Sequence, residues 1–143
     1  EVLATVRGEK VSPQSVSRVL RSLDREVQLF WSRPLADIYP YLFLDGISLK
    51  VKGAMDRYRR QILCAYGIRR DGKREIISFR QATDESEAKW EAFLRDLYDR
   101  GLTGQKIQLI TTDGCPGLHR ALDTFLKGVK SFSERRQVLP VAR

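Results

Sequence analysis

Residues 41–51 read Tyr41-Leu42-Phe43-Leu44-Asp45-Gly46-Ile47-Ser48-Leu49-Lys50-Val51. Aromatic and aliphatic side chains dominate, Tyr39-Pro40 introduces the stretch and Gly53 follows it, so the segment reads as a strand. Its odd positions are Tyr, Phe, Asp, Ile, Leu and Val. Side chains alternate along a strand, which puts Asp45 on one face with large apolar groups and makes the segment read as one built for burial, unless Gly46 introduces a bulge. A carboxylate in such a place needs a hydrogen-bonding partner, a basic neighbour or a cation.

Two further strands follow, at about 61–69 and 74–79, joined by Arg70-Asp71-Gly72-Lys73, whose Asp-Gly pair suits a tight hairpin turn. Residues 52–60 between the first two strands read as a longer, basic connection. A helix begins near Asp84, Ser86 and Glu87 and ends at Gly101, with Trp90, Phe93, Leu94, Leu97 and Tyr98 in one apolar stripe. A fourth strand is predicted over 107–112. After Asp113-Gly114 comes another helix, carrying Leu118, Ala121, Leu122 and Phe125 and stopping near Gly128. A meander followed by strand, helix and strand implies an α/β fold: a mixed sheet with helices against it.

On the amino-terminal side, Ser12-Pro13 has the form of an N-cap and first helical residue, and Val16, Val19, Leu20, Leu23 and Val27 keep helical spacing to about Trp31. The first ten residues and this helix read as the end of a helix-turn-helix. Arg18, Arg21 and Arg25 share one helical face suited to phosphate contacts, although a solvated face explains them as well. Arg33-Pro34 closes the helix. The expected organisation is therefore a helical, DNA-binding segment over 1–36, an α/β domain over 37–130 and a disordered tail over 131–143.

A chain of 143 residues with 42% hydrophobic and 31% charged composition can bury one ordinary core. Lys and Arg outnumber Asp and Glu by 26 to 18, for a net charge of +8. That balance favours a polyanionic partner. No apolar run approaches a membrane span and no signal-peptide core is visible, so the expectation is a cytoplasmic protein. Cys64 and Cys115 lack a partner cluster and read as small buried apolar groups. Lys50, Lys52, Arg57, Arg59 and Arg60 flank the first hairpin and could line a DNA backbone path or a solvated loop.

Asp113, at the end of the fourth strand, can be a turn former before Gly-Cys-Pro-Gly or the second half of a site. If that strand returns parallel to the first, strand spacing of about 4.8 Å brings Asp45 and Asp113 into one cleft, where two like charges call for a divalent cation.

Residues 41–51, the block Asp84-Glu-Ser-Glu-Ala-Lys-Trp-Glu-Ala-Phe-Leu, Gly101-Leu102, and Thr112-Asp-Gly-Cys-Pro-Gly-Leu together resemble successive blocks of the Mutator-type transposases of bacterial insertion sequences. Val11-Ser-Pro-Gln-Ser-Val-Ser-Arg is similar to the region before their catalytic domain. The resemblance covers about residues 1–128. It implies an RNase H-like fold with an Asp-Asp-Glu active site that binds two Mg²⁺ ions, or Mn²⁺ in their place, and cuts and joins double-stranded DNA at element ends. Asp45 and Asp113 match the first two catalytic, metal-binding acids. The implied setting is the bacterial nucleoid, with a homodimer or higher oligomer left open.

The third acid implied by the resemblance, a Glu, belongs far downstream, and no Cys-x-x-His pattern follows Asp113. Asp123 reads as a solvated helix residue and Glu134 as part of the tail. The sequence therefore reads as a truncated or frameshifted copy, or an excised piece. The alternatives are a catalytically dead DNA-binding or dimerising remnant, or a nuclease drawing its third ligand from Glu87 or Glu91. Those two glutamates stand near a helix start, where negative charge is favoured in any case. His119, the only histidine, reads as an ordinary helical residue.

Overall fold

The computed structural model describes residues 12–52, 57–128 and 137–140. The chain divides into two units, Glu1–Arg33 and Pro34–Arg143. The first ten residues of the expected helix-turn-helix, the turn around Gly53 and Glu134 lie outside the described residues.

In the first unit, α1 (Pro13–Ser32) starts where predicted. The Ser12 side chain accepts from the Ser15 N–H at 3.2 Å, and Pro13 occupies the first turn, where its missing N–H costs nothing. The Arg33 N–H closes the last turn on the Leu29 carbonyl at 3.0 Å. None of its residues is buried, and Val19, Leu20, Leu23 and Leu29 are each more than half exposed.

The second unit contains β1 (Tyr41–Lys52), β2 (Arg57–Ile68), β3 (Arg74–Ala82), α2 (Glu87–Asp99), β4 (Leu109–Thr112), α3 (Pro116–Gly128) and β5 (Gln137–Pro140). The sheet order is β3-β2-β1-β4-β5. β1, β2 and β3 form an antiparallel meander, while β4 lies parallel to β1 and β5 parallel to β4. This is the mixed α/β sheet with flanking helices that the element order implied. The β2–β3 turn has Gly72 at φ +82°, and the Asp71 carboxylate accepts from the Lys73 N–H at 3.0 Å. The Asp-Gly pair thus supplies both a positive φ and a local acceptor.

Three predicted bounds move. β2 begins at Arg57, so residues 57–60 are strand rather than connection, paired with Leu49–Lys52. Basic residues can continue a ladder because backbone pairing does not require burial. β4 begins only at Leu109: the Gln108 and Leu109 N–H groups both bond the Pro40 carbonyl, and Ile107 N–H bonds Gly104 O, which keeps that stretch in a turn. Within the tail expected to be disordered, Gln137–Pro140 pairs with Leu109–Thr112 as β5. The outer edge of β4 presents unpaired backbone groups, and Val138-Leu139 is suited to take them up.

The core lies on one face of the sheet. Leu42, Leu44, Leu63, Ala65 and Ile110 pack with Trp90, Phe93, Leu94 and Leu97 of α2 and Leu118, Ala121 and Leu122 of α3. Burying each large aliphatic side chain is worth about 1.5–3 kcal/mol. The other face is open: Tyr41, Ile47 and Leu49 are 40%, 43% and 47% exposed. Phe43, half-buried there, stacks on Tyr66 across the ladder at 4.6 Å. The expectation that Asp45 sits among buried apolar groups is therefore corrected. β1 is apolar on both phases, and the helices cover the even one.

Polar ties lock the rim. Arg100 donates to Ser78 Oγ at 2.7 Å and pairs with Asp96, which also holds Arg80. Tyr39 OH donates to Glu75 Oε2 at 2.7 Å while Arg69 reaches Oε1 at 3.1 Å.

Candidate metal-binding site

Two strand ends build the site. β1 and β4 run parallel with Tyr41 opposite Leu109 and Leu44 opposite Thr112. Asp45 and Asp113 each come one residue after that last rung, at the same end of two neighbouring strands. The condition on which the pairing depended, a helix-linked parallel return, is met. Leu44 and Thr112 are buried toward the helices, whereas Asp45 and Asp113 are half-buried.

Local chemistry holds each acid in place. Asp45 faces Cys64 across the β1–β2 ladder, and its Oδ1 is shut off from solvent. Burial, and after it the Asp45 charge, pushes the Cys64 thiol above its ordinary pKa. Asp113 Oδ1 accepts the Cys115 N–H at 3.0 Å, and Gly114 takes the positive φ of +81° that lets the chain turn into α3. Asp113 is therefore a turn former as well as a neighbour of Asp45. The two roles are compatible, because a carboxylate has about four lone-pair sites and the turn engages one. One residue earlier, buried Thr112 Oγ1 lies 3.2 Å from His119 Nε2, which ties α3 back onto β4. His119 is thus half-buried and partnered. Cys64 and Cys115 are half-buried free thiols.

Sequence reasoning overlooked Glu85. The residue precedes α2 and looked like part of a helix start. Its carboxylate packs on Gly46, where a Cβ would collide with it, and its carbonyl lies against Gly117 and accepts from Cys115 Sγ at 3.6 Å. A single loop residue thus bridges the segment after Asp45 and the segment after Asp113. Two glycines at close-approach positions were the available signal. Glu87 instead pairs with Arg120 at 2.8 Å and joins α2 to α3. Arg18, Arg21 and Arg25 are exposed on α1, and Lys50 and Lys52 are exposed at the far end of β1.

Carboxylates at the ends of two neighbouring strands offer hard oxygen donors, the ligand type Mg²⁺ and Mn²⁺ take. Among the described residues no three His, Cys, Asp or Glu side chains gather closely enough to form a metal site by themselves.

The family model for the Mutator-family transposases matches residues 1–133. The chain belongs to the Mutator family of transposases. A transposase of insertion sequence IS1081 from Mycobacterium tuberculosis is 38% identical over 127 residues, covering 87% of this chain and 30% of that protein. The IS406 transposase of Burkholderia multivorans is 37% identical over 131 residues, covering 90% and 33%. The transposase of IS256 in transposon Tn4001 from Staphylococcus aureus is 33% identical over 123 residues, covering 85% and 31%. This Mutator-family chain therefore spans about a third of the length of the curated relatives it matches. A simian T-cell lymphotropic virus intasome structure aligns over 98% of this chain and 47% of its own at 17% identity and a TM-score of 0.35, a likeness too slight to bear on fold or function. No helix among the described residues is long and apolar enough to cross a membrane.

Proposed function

We propose that this chain carries the paired-carboxylate half of an RNase H-like transposase active site, which acts on double-stranded DNA at insertion-sequence ends by metal-dependent cleavage and strand transfer. One observation supports the reading: the parallel β1–β4 register, whose last rung, Leu44 with Thr112, immediately precedes Asp45 and Asp113. The antiparallel meander with a helix-linked parallel strand supports the RNase H-like assignment.

The donor set fits Mg²⁺, which is commonly held by one or two carboxylates together with waters and substrate phosphate oxygens. Asp45 and Asp113 would hold it, and bound there it would supply a polarised phosphoryl oxygen and an acidified water. The protein's own groups orient these acids. The Cys115 N–H aims Asp113, the β1–β2 ladder fixes Asp45, and the Glu85 loop clamps both segments. Arg18, Arg21 and Arg25, exposed on α1, supply cations for the DNA backbone in the same bacterial, nucleoid-associated setting.

The test is a calorimetric Mn²⁺ titration of the unmodified chain, Asp45→Asn and Asp113→Asn, with circular dichroism to check folding. Each variant is expected to lose the site while keeping its fold. Equal Mn²⁺ binding by all three proteins would overturn the assignment.

A second reading is a DNA-binding segment without catalysis of its own, favoured by Arg18, Arg21 and Arg25 exposed on α1. Strand transfer by the isolated chain on element-end duplex in Mn²⁺ would exclude it.

A further inference from the structure

β1 and β2 outrun the rest of the sheet. β4 pairs with β1 only over Tyr41–Leu44, and β3 reaches β2 no further than Gln61. The rungs Leu49↔Arg60, Lys50↔Arg59, Val51↔Tyr58 and Lys52↔Arg57 thus have no third strand beside them among the described residues. Past Ser48 the two strands continue as a two-stranded ribbon.

The ribbon's two faces differ in chemistry. On one phase Lys50 stands opposite Arg59, and the next rung of that phase pairs Lys52 with Arg57. On the other phase lie Leu49, Val51 and Tyr58, and there the Arg60 guanidinium sits 4.8 Å above the Tyr58 ring. Lys50, Lys52 and Arg59 are exposed and form no ion pair among the described residues. Between Gly46 and Arg60 the sequence holds five Lys or Arg and one acid, Asp56.

Like charges directly opposite each other destabilise a ladder. Two successive same-phase rungs made wholly of cations therefore weaken an isolated ribbon and suit one that meets a polyanion. Edge lysines that only discourage aggregation need no such segregation, since a charge on either phase serves.

We propose that this ribbon is a DNA-binding arm, with the face bearing Lys50, Lys52 and Arg59, the phase opposite to that of Asp45, laid on the phosphate backbone of duplex DNA beyond the end of the sheet. A two-stranded ribbon fits a major groove about 12 Å wide. From Asp45 to Lys52 the strand advances seven residues, roughly 23 Å at about 3.3 Å each, or about seven base pairs. The arm contacts DNA to that distance from the acids, and because it reads phosphates its contribution is independent of sequence.

The inference rests on the transposase reading for its choice of DNA, but its test is run in EDTA so that the two can fail separately. Fluorescence anisotropy measures binding of the full chain to a 20-base-pair duplex of arbitrary sequence across a NaCl series. For Lys50→Ala/Lys52→Ala/Arg59→Ala, loss of three phosphate contacts is expected to flatten the slope of log K against log salt by about 2.7, at about 0.9 per contact. Lys50→Arg/Lys52→Arg/Arg59→Lys, which keeps the charge, should restore the slope. An unchanged slope in the alanine variant overturns the arm, as does an equal loss in the charge-keeping variant or no duplex binding by the unmodified chain. If circular dichroism shows the triple variant unfolded, Lys50→Glu alone decides: unaltered binding overturns the proposal, and a shallower slope supports it. Failure of the metal reading is seen instead as unaltered Mn²⁺ binding by Asp45→Asn, which leaves the anisotropy result standing.

Discussion

Replacing Gly117 with Ala sets two physical effects against each other. Gly117 is the second residue of α3, and inside a helix Ala is favoured over Gly by about 1 kcal/mol. Propensity alone therefore predicts a more stable protein. Packing predicts the reverse, because a Cβ at Gly117 would collide with the Glu85 carbonyl and crowd Glu87 N and Ser86 C. All three are backbone atoms at the start of α2, and none can swing aside as the end of a side chain could. Overpacking costs about 1–3 kcal/mol, and a main-chain obstacle puts this case near the top of that range. The net expectation is a loss of about 2 kcal/mol, or a Tm about 8 °C lower at roughly 4 °C per kcal/mol for a domain near this size. Thermal unfolding followed by circular dichroism measures it. Because the Glu85 loop also touches Gly46 and Cys115, the same variant should bind Mn²⁺ more weakly. A Tm equal to or above that of the unmodified chain would refute the close approach of α3 to the Glu85 loop.

Leu44→Ala removes a side chain only 1% exposed, one residue before Asp45, and should cost about 2–5 kcal/mol in urea unfolding. The Glu75 carboxyl is held below its ordinary pKa, first by the Tyr39 hydroxyl and then by Arg69. A depressed folded pKa means stability that is complete above the unfolded value of about 4.3 and is lost as pH falls from there through the folded value. Urea unfolding between pH 6 and 3 should therefore show a shallower acid-side decline in Glu75→Gln. Part of the decline remains, from Asp84, whose pKa is lowered in the same sense by Ser86.

Much of the fold could be read from local pattern. The Ser12-Pro13 start of α1, the Asp71-Gly72 turn and the Trp90 to Leu97 stripe of α2 are each determined by neighbours in sequence, and each lies where predicted. Which face of β1 is buried was not legible. Both phases of residues 41–51 are apolar, and only the placement of α2 and α3 decides between them. The extension of β2 back to Arg57 was hidden for a similar reason, since a basic exposed ladder has no hydrophobic alternation to reveal it. β5 escaped notice because four residues carry little periodic signal, and the edge of β4 that they pair with exists only in the folded chain. Asp45 and Asp113 were visible as anomalies one at a time, while their adjacency depended on a parallel register that no local pattern encodes. Glu85 could be found only once Gly46 and Gly117 were seen to leave room for it.

The central claim is that the ends of β1 and β4 share one divalent cation, and paramagnetic broadening by Mn²⁺ tests it most directly. In amide spectra of the full chain at substoichiometric Mn²⁺, the resonances of residues 44–46 and 112–115 should broaden together, ahead of those at exposed Asp71 and Asp99, and Asp113→Asn should abolish both effects. Broadening confined to one strand end, or shared evenly among surface carboxylates, would contradict it.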